Sequence, residues 1–442
     1  MRPFLSVSTA LAWALSWSLV AVSFAKPVGD SKTLVLLDDL ANRSEYSIFL
    51  DSLTARGHRL FVHTVAQIST TVPLLVYGDL AFSHVVILAS KVSTFGGTVG
   101  VGGLIDYVNA GGNVLLAASS ELSEVVRDFA YEFSVDFDES GTSVFDHFNS
   151  IHDSPSQIIS SSFTNKTNFI LSESTRQGPP VVFQGVGHKV TGKNILTFPI
   201  LTASHSAYSY DSKDTDPLLG GPLLGETISL ASAFQARNNA RVVFVGSTSL
   251  FSNKYAKLKV PFKNSQSICG NAAFSADISK WVFQEKSVVQ ITNTKHHRVN
   301  ETDQHGIYRI KDEMIYSATI KVWSGDAWEP FVANDIQFEA VMLDPYIRKT
   351  MNESDGVYVA RFTLPDQYGV FSFKLNYQRH GLSYISASET VQVRPFRHNQ
   401  FPRFLVVAYP YYANIFSLMV AFFLFSAVFL FNKEVRPKTK TL

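Results

Sequence analysis

The chain has 442 residues, too many for one small core and enough for two or three domains of ordinary size. Its 38 basic and 37 acidic residues leave a net charge of +1, so no broad field of one sign exists to draw nucleic acid by bulk electrostatics. Charged residues make up 17%, against roughly 25% in typical soluble domains, and 35 phenylalanines point to large apolar surfaces that are buried or covered by partners.

The first element is an export signal. Arg2 supplies a positive start, an apolar run from Leu11 to Phe24 follows, and Ser23 and Ala25 are the small residues a signal peptidase needs. Residues 1–25 are therefore expected to be a signal peptide, cut between Ala25 and Lys26.

From Thr33 the chain alternates strand and helix. Thr33–Leu37 is a continuous apolar run, and Glu45–Arg56 places Phe49, Leu50 and Leu53 on one helical face. His84–Ala89 repeats the buried-strand pattern, Leu104–Val108 reads as helix, and Asn113–Ala118 is a strand after the Gly111-Gly112 stop. Arg241–Gly246 adds a strand, and Ala272–Glu285, with Ile278, Trp281 and Val282 at helical spacing, closes the unit. An α/β fold with an open, mostly parallel sheet is expected over 26–286.

Beyond residue 287 the pattern becomes short and alternating, as in Met314–Val322 and Gly356–Phe362. Phe371, Phe373, Leu375 and Tyr377 share one face of another such stretch. An antiparallel β-sandwich is expected over 287–403.

No charge occurs between Arg403 and Lys433, and Ala408–Phe431 as a helix would span about 36 Å, so 404–432 is expected to cross a membrane. Tyr409, Tyr411 and Tyr412 suit the headgroup region, and Pro410 a helix start. Asn414, Ser417 and Ser426 are its polar exceptions, groups that in lipid find partners across helix interfaces. The tail 433–442 carries four basic residues and one acid, which places it in the cytosol and the body in the lumen, a type I topology. Lys438 and Lys440 resemble a dilysine signal for retrieval to the endoplasmic reticulum; a plain stop-transfer tail is the alternative. Sequons stand at Asn42, Asn165, Asn300 and Asn352, and the lone Cys269 leaves no internal disulfide.

Chemistry is sparse. Asp38 and Asp39 end the first strand, where open α/β sheets place their ligand crevice; these carboxylates either begin the following loop and cap its helix or meet a sugar hydroxyl or a metal in a glycan crevice. Asp136-Phe137-Asp138 and Asp214-Thr215-Asp216 have the acid-x-acid spacing of cation sites in nucleotide-sugar transferases, a pattern too short to specify a metal. His147 with His152, and the pair His296-His297, lack a third ligand at zinc spacing. Ser119 and Ser120 follow a strand where a hydrolase or amidotransferase holds its nucleophile, but Ala118 and Glu121 stand where the elbow needs glycine. Gly96–Gly103 fits neither phosphate-loop spacing and reads as a loop at the crevice. No catalytic residue, metal site or cofactor is assigned.

Six stretches carry a resemblance: Thr33–Asp38 (TLVLLD), Gly111–Ser120 (GGNVLLAASS), Gln235–Val242 (QARNNARV), His296–Val299 (HHRV), Leu364–Phe371 (LPDQYGVF) and Ala408–Ala413 (AYPYYA). Through them the mature chain resembles the family of 48-kDa subunits of the oligosaccharyltransferase complex. That resemblance implies a non-catalytic subunit with an amidotransferase-like α/β domain lacking its nucleophile, a β-rich domain and one anchor. It implies partners among the other subunits, the many-spanning catalytic one included, whose Trp-Trp-Asp signature is absent here. It also implies contact with the dolichyl-diphosphate oligosaccharide in the endoplasmic reticulum membrane. The alternative is a free-standing luminal glycosyltransferase or glycan-binding receptor.

Overall fold

A computed structural model describes residues 31–65, 72–91, 100–151, 154–211, 223–263, 265–325, 327–401 and 405–431. The first unit is built on β1 (Lys32–Leu37), α1 (Ser47–Ala55), β2 (Arg59–Thr64), β3 (His84–Leu88), α2 (Val101–Asn109), β4 (Asn113–Ala117) and α3 (Glu124–Glu132). It continues through β5 (Val135–Phe137), β6 (Ser162–Phe163), β7 (His188–Val190), β8 (Thr197–Thr202), β9 (Ser229–Gln235), β10 (Arg241–Val245) and α4 (Asn271–Val282).

Ten strands form one sheet with the path β6-β8-β9-β10-β4-β3-β1-β2, and β7 bridges β9 to β5. From β10 to β2 every pairing is parallel; from β10 through β9 and β8 to β6 every pairing is antiparallel. The sheet is thus mixed rather than mostly parallel. Sequence patterning marked four of the five parallel strands, β1, β3, β4 and β10; β2, with its Arg, His and Thr, was not read. The antiparallel extension was not read, because Thr197–Thr202 and Ser229–Gln235 mix Ser, Thr and Gln into buried positions.

Strands β1, β3, β4 and β10 are buried on both faces, which explains their unbroken apolar runs, whereas β2 is the partly exposed edge. Val35, Leu37, Val86, Leu88, Val243 and Val245 face one core with Phe49, Leu50 and Leu53 of α1 and Ile278, Trp281 and Val282 of α4. Their neighbours Leu34, Leu36, Val85, Ile87, Val242 and Phe244 face the other, under α2 and α3. Helix α1 starts two residues later than the pattern suggested, because Leu40–Tyr46 is a 3-10 turn whose entry Asp39 caps by accepting from Ala41 N at 3.1 Å. Gly102 and Gly103 lie in the first turn of α2, not in a loop, while 92–99 lie outside the described residues.

The second unit contains β11 (Val288–Arg298), β12 (Ile307–Arg309), β13 (Glu313–Trp323), β14 (Trp328–Pro330), β15 (Gln337–Met342), β16 (Asp344–Thr350), β17 (Asn352–Ser354), β18 (Val357–Thr363), β19 (Gly369–Tyr377) and β20 (Ile385–Arg394). One sheet runs β11-β13-β18-β17 with β14 on β13, the other β12-β20-β19-β15-β16. Between them Tyr316 and Phe362 each lie 4.6 Å from Phe338, and Phe373 lies 5.4 Å from it, in a densely aromatic core. All pairings are antiparallel except β12 on β20.

The loop between β19 and β20 plugs into the first unit. Trp281 Nε1 donates to Gly381 O at 2.7 Å, Gln235 accepts from Gly381 N at 3.2 Å and donates to Leu382 O, and Asn239 accepts from Tyr384 N at 2.6 Å. Gly381 has φ +86°, a conformation open to glycine, and its Cα side abuts Ile170 and Phe169. Arg241, fully buried, lies 4.8 Å over the Trp281 ring and donates to Trp281 O, Lys286 O and Ser287 O at 2.6–2.9 Å. It pins the linker where one unit passes into the other.

Helix α5 (Tyr409–Leu430), with the turn Val406–Ala408 before it, makes a 25-residue segment long and apolar enough to cross a membrane; none of its residues is buried in the fold.

Candidate functional site

Parallel strands align their carboxyl ends, so β1, β3, β4 and β10 deliver Asp38, Ser90, Ser119 and Ser247 to one rim. Ser90 Oγ lies 2.6 Å from Ser119 Oγ, and Lys91 N donates to Asp38 Oδ1 at 3.2 Å. Burial pushes the Asp38 carboxyl above the usual range against the backbone N–H groups of Lys91 and Ser90, which favour its charge. Lys91 Nζ closes the rim on Glu121 Oε2 at 2.8 Å, both side chains well exposed.

The β10 end approaches a neighbouring segment so closely that side chains are excluded. Val186 N donates to Gly246 O at 2.9 Å, and a Cβ on Gly246 or Gly185 would run into the facing backbone carbonyl. Ser247 Oγ donates to Gln184 O at 2.6 Å, and Tyr255 bonds the Gln184 side chain.

The rim therefore presents a half-buried carboxylate, hydroxyls and one ion pair, groups suited to polyol hydroxyls. Ser119, which directly follows Ala118 at the carboxyl end of β4, pairs its hydroxyl with that of Ser90. Asp39 is spent on its cap and is exposed.

The other candidates disperse. Asp136 is exposed on β5, while Asp138 accepts from Ser209 and from Glu139 N. His147 bonds Tyr208 at 3.0 Å and stacks on its ring. His296 and His297 diverge as strand neighbours must: His296 is buried 2.8 Å from Tyr308 OH and 3.2 Å from Glu389, whereas His297 bonds Arg298 O. Cys269 is buried, bonds Tyr255 O, and has its thiol pushed up by burial, which keeps it protonated. Among the described residues no group of three or more His, Cys, Asp or Glu could hold a metal. Asn42, Asn165, Asn300 and Asn352 are all exposed. Ala25, Lys26, His152, Asp214, Asp216, Lys438 and Lys440 lie outside the described residues.

Two polar clusters escaped sequence reading because their members are far apart in the chain. At the opposite rim, His58 lies 2.5 Å from both Ser31 Oγ and Glu285 Oε1, and Arg56 donates to Glu285 at 3.0 Å. With His58 only 3% exposed, this Ser-His-carboxylate line is sealed and ties β1 and β2 to the end of α4. In the second, Asp146, 1% exposed, accepts from Ser204, Ser206 and Asn149 and from the N–H groups of Phe148 and Asn149.

Residues 24–285 match the family described as "OST48, N-terminal domain", and residues 296–433 the "OST48 middle domain". The chain belongs to the OST48 family. Three relatives carry the name dolichyl-diphosphooligosaccharide–protein glycosyltransferase 48 kDa subunit. That of Arabidopsis thaliana is 40% identical over 440 residues, covering 97% of this chain and 99% of its own. Those of Danio rerio and Caenorhabditis elegans are 38% and 36% identical, covering 92% and 95% of this chain and 93% and 95% of theirs. A solved ThuA-like protein from Parabacteroides merdae aligns at 12% identity with a TM-score of 0.29, covering 58% of this chain and 91% of that one, too distant to bear on the fold. In OST48 terms, the carboxyl rim belongs to the N-terminal domain, and the linker clamped by Arg241 falls where the first family match gives way to the second.

Proposed function

We propose that this chain is the 48-kDa subunit of an oligosaccharyltransferase complex and serves N-linked glycosylation as a non-catalytic member. The observation that carries this reading is the near-complete, 40%-identical correspondence with a relative of that name. The pairing of Ser119 with Ser90, in place of a nucleophile with its base, supports leaving the chemistry to another subunit.

In this reading Ala25 and Lys26 flank signal cleavage, 26–286 and 287–403 are luminal units, 404–432 anchors the chain in the endoplasmic reticulum membrane, and 433–442 is a cytosolic tail retrieved through Lys438 and Lys440. Asn42, Asn165, Asn300 and Asn352 are glycan acceptors. The rim around Asp38 faces the oligosaccharide of the dolichyl-diphosphate donor and helps to position it, while other subunits cover the exposed apolar surfaces.

Purification of the tagged chain in mild detergent tests the assignment. The many-spanning catalytic subunit should accompany it, depletion of the chain should lower sequon occupancy, and the chain alone should transfer nothing. A lone monomer, or metal-dependent transfer by the isolated protein, would overturn the reading.

A further inference from the structure

The end of the sandwich that leads into the span carries an unusual tip. Strand β20 leaves its sheet at Arg394, β19 starts opposite it (Gly369 pairs with Val393), and β15 runs antiparallel to β19, so the β15–β16 turn lies at this same end. That turn is Leu343, 99% exposed and held at φ +64°. A bulky residue at positive φ is a backbone outlier, and a bare leucine in water gains nothing from hydration. Asparagine or glycine would meet both demands, so the leucine stands against local preference. Tyr368 and Val370, 63% and 55% exposed, lie beside it on the start of β19.

The chain then fixes how far this end can stand from lipid. Gln400 accepts from Arg394 at 2.8 Å, and Phe401 packs 5.4 Å from Phe396, which lies against the sandwich core. Residues 395–401 are thus folded onto the sandwich rather than spent as tether. The apolar segment begins at Val406, so five peptide steps remain, at most about 18 Å at full stretch. The polar headgroup band takes up roughly 5–8 Å of that.

We infer that this end of the β-sandwich docks on the membrane surface, with Leu343 inserted into the lipid interface and Tyr368 among the headgroups. Exposed Arg397, three residues beyond the end of β20, suits lipid phosphates, while Lys311 at the same end is held in an ion pair with Asp366 at 2.8 Å. Tethering makes docking effectively intramolecular, so a small apolar tip suffices. The inference rests on reading 406–430 as a membrane span.

The test uses the full chain, with Cys269 replaced by serine, in phosphatidylcholine nanodiscs. Single cysteines at Leu343, Tyr368, Val332 or Phe422 carry an environment-sensitive fluorophore. Val332 precedes β15 at the far end of the sandwich and is 66% exposed. Nitroxide lipids should quench the Leu343 and Tyr368 labels several-fold more than the Val332 label, and aqueous iodide the reverse. Leu343→Gly should hold or raise thermal stability while several-fold reducing lipid quenching at position 368. If the Phe422 label is lipid-quenched but the Leu343 label is as iodide-accessible as that at Val332, docking is overturned and the span stands. Failure of the Phe422 label overturns the span itself. Shielding of Leu343 from both quenchers only in the purified complex would assign the tip to a protein partner and also overturn the lipid reading.

Discussion

Asp146 shows how a single residue can be both buried and charged. Burial alone would raise its carboxyl, but hydrogen bonds from Ser204, Asn149 and the backbone N–H groups of Phe148 and Asn149 outweigh that and hold it at about 2. A carboxyl depressed on folding contributes stability above its unfolded value near 4 and loses it as pH falls through about 2. Asp146 should therefore contribute about 2 kcal/mol at neutral pH. Asp146→Asn should lower the denaturation midpoint at pH 7 by that free energy and lose most of its penalty near pH 2.5, as urea titrations at both pH values would register. Gly246→Ala sets a Cβ against Val186 O, so a loss of about 3 kcal/mol is expected in thermal melts. Neither effect is legible locally: nothing around Asp146 announces Ser204 and Ser206, some 60 residues away.

Among the elements, the β19–β20 loop decides whether the two units move together. Its bonds to Trp281, Gln235 and Asn239 are buried or partly so, and each unpaired group would cost about 1–3 kcal/mol. Gln235→Ala is expected to expose Gly381–Tyr384 to faster amide exchange while the interiors of β1 and β13 stay protected, which hydrogen-exchange mass spectrometry would resolve. Strand reading succeeded where both faces are apolar, as in Leu34–Leu37 and Val85–Leu88, because burial on two sides favours an unbroken apolar run. It failed for β8 and β9, whose hydroxyls and amides are satisfied by distant partners, as Ser232 is by His188 and Gln235 by the β19–β20 loop.

For the whole molecule, the crevice prediction belongs to the assembled complex. Asp38→Asn keeps the shape and the accepted bond from Lys91 N, so the fold should be unchanged; sequon occupancy in cells carrying the variant should fall if the rim helps to hold the donor. Unchanged occupancy in a glycoproteomic comparison would leave the rim as a structural edge.

By itself the sequence determined the elements whose signal is local: apolar runs long enough for a buried strand or a membrane helix, the alternation of β13, β18 and β19, and the family stretches. It also placed Asp38 at a strand end, since that follows from adjacency in the chain. Only the tertiary structure decided that half the great sheet is antiparallel, that Ser119 faces Ser90, that Arg241 clamps the linker, and that Leu343 stands at the end leading to the span. These depend on pairings between residues far apart in sequence, whose energies come from burial and hydrogen-bond satisfaction in three dimensions and leave no periodic trace along the chain.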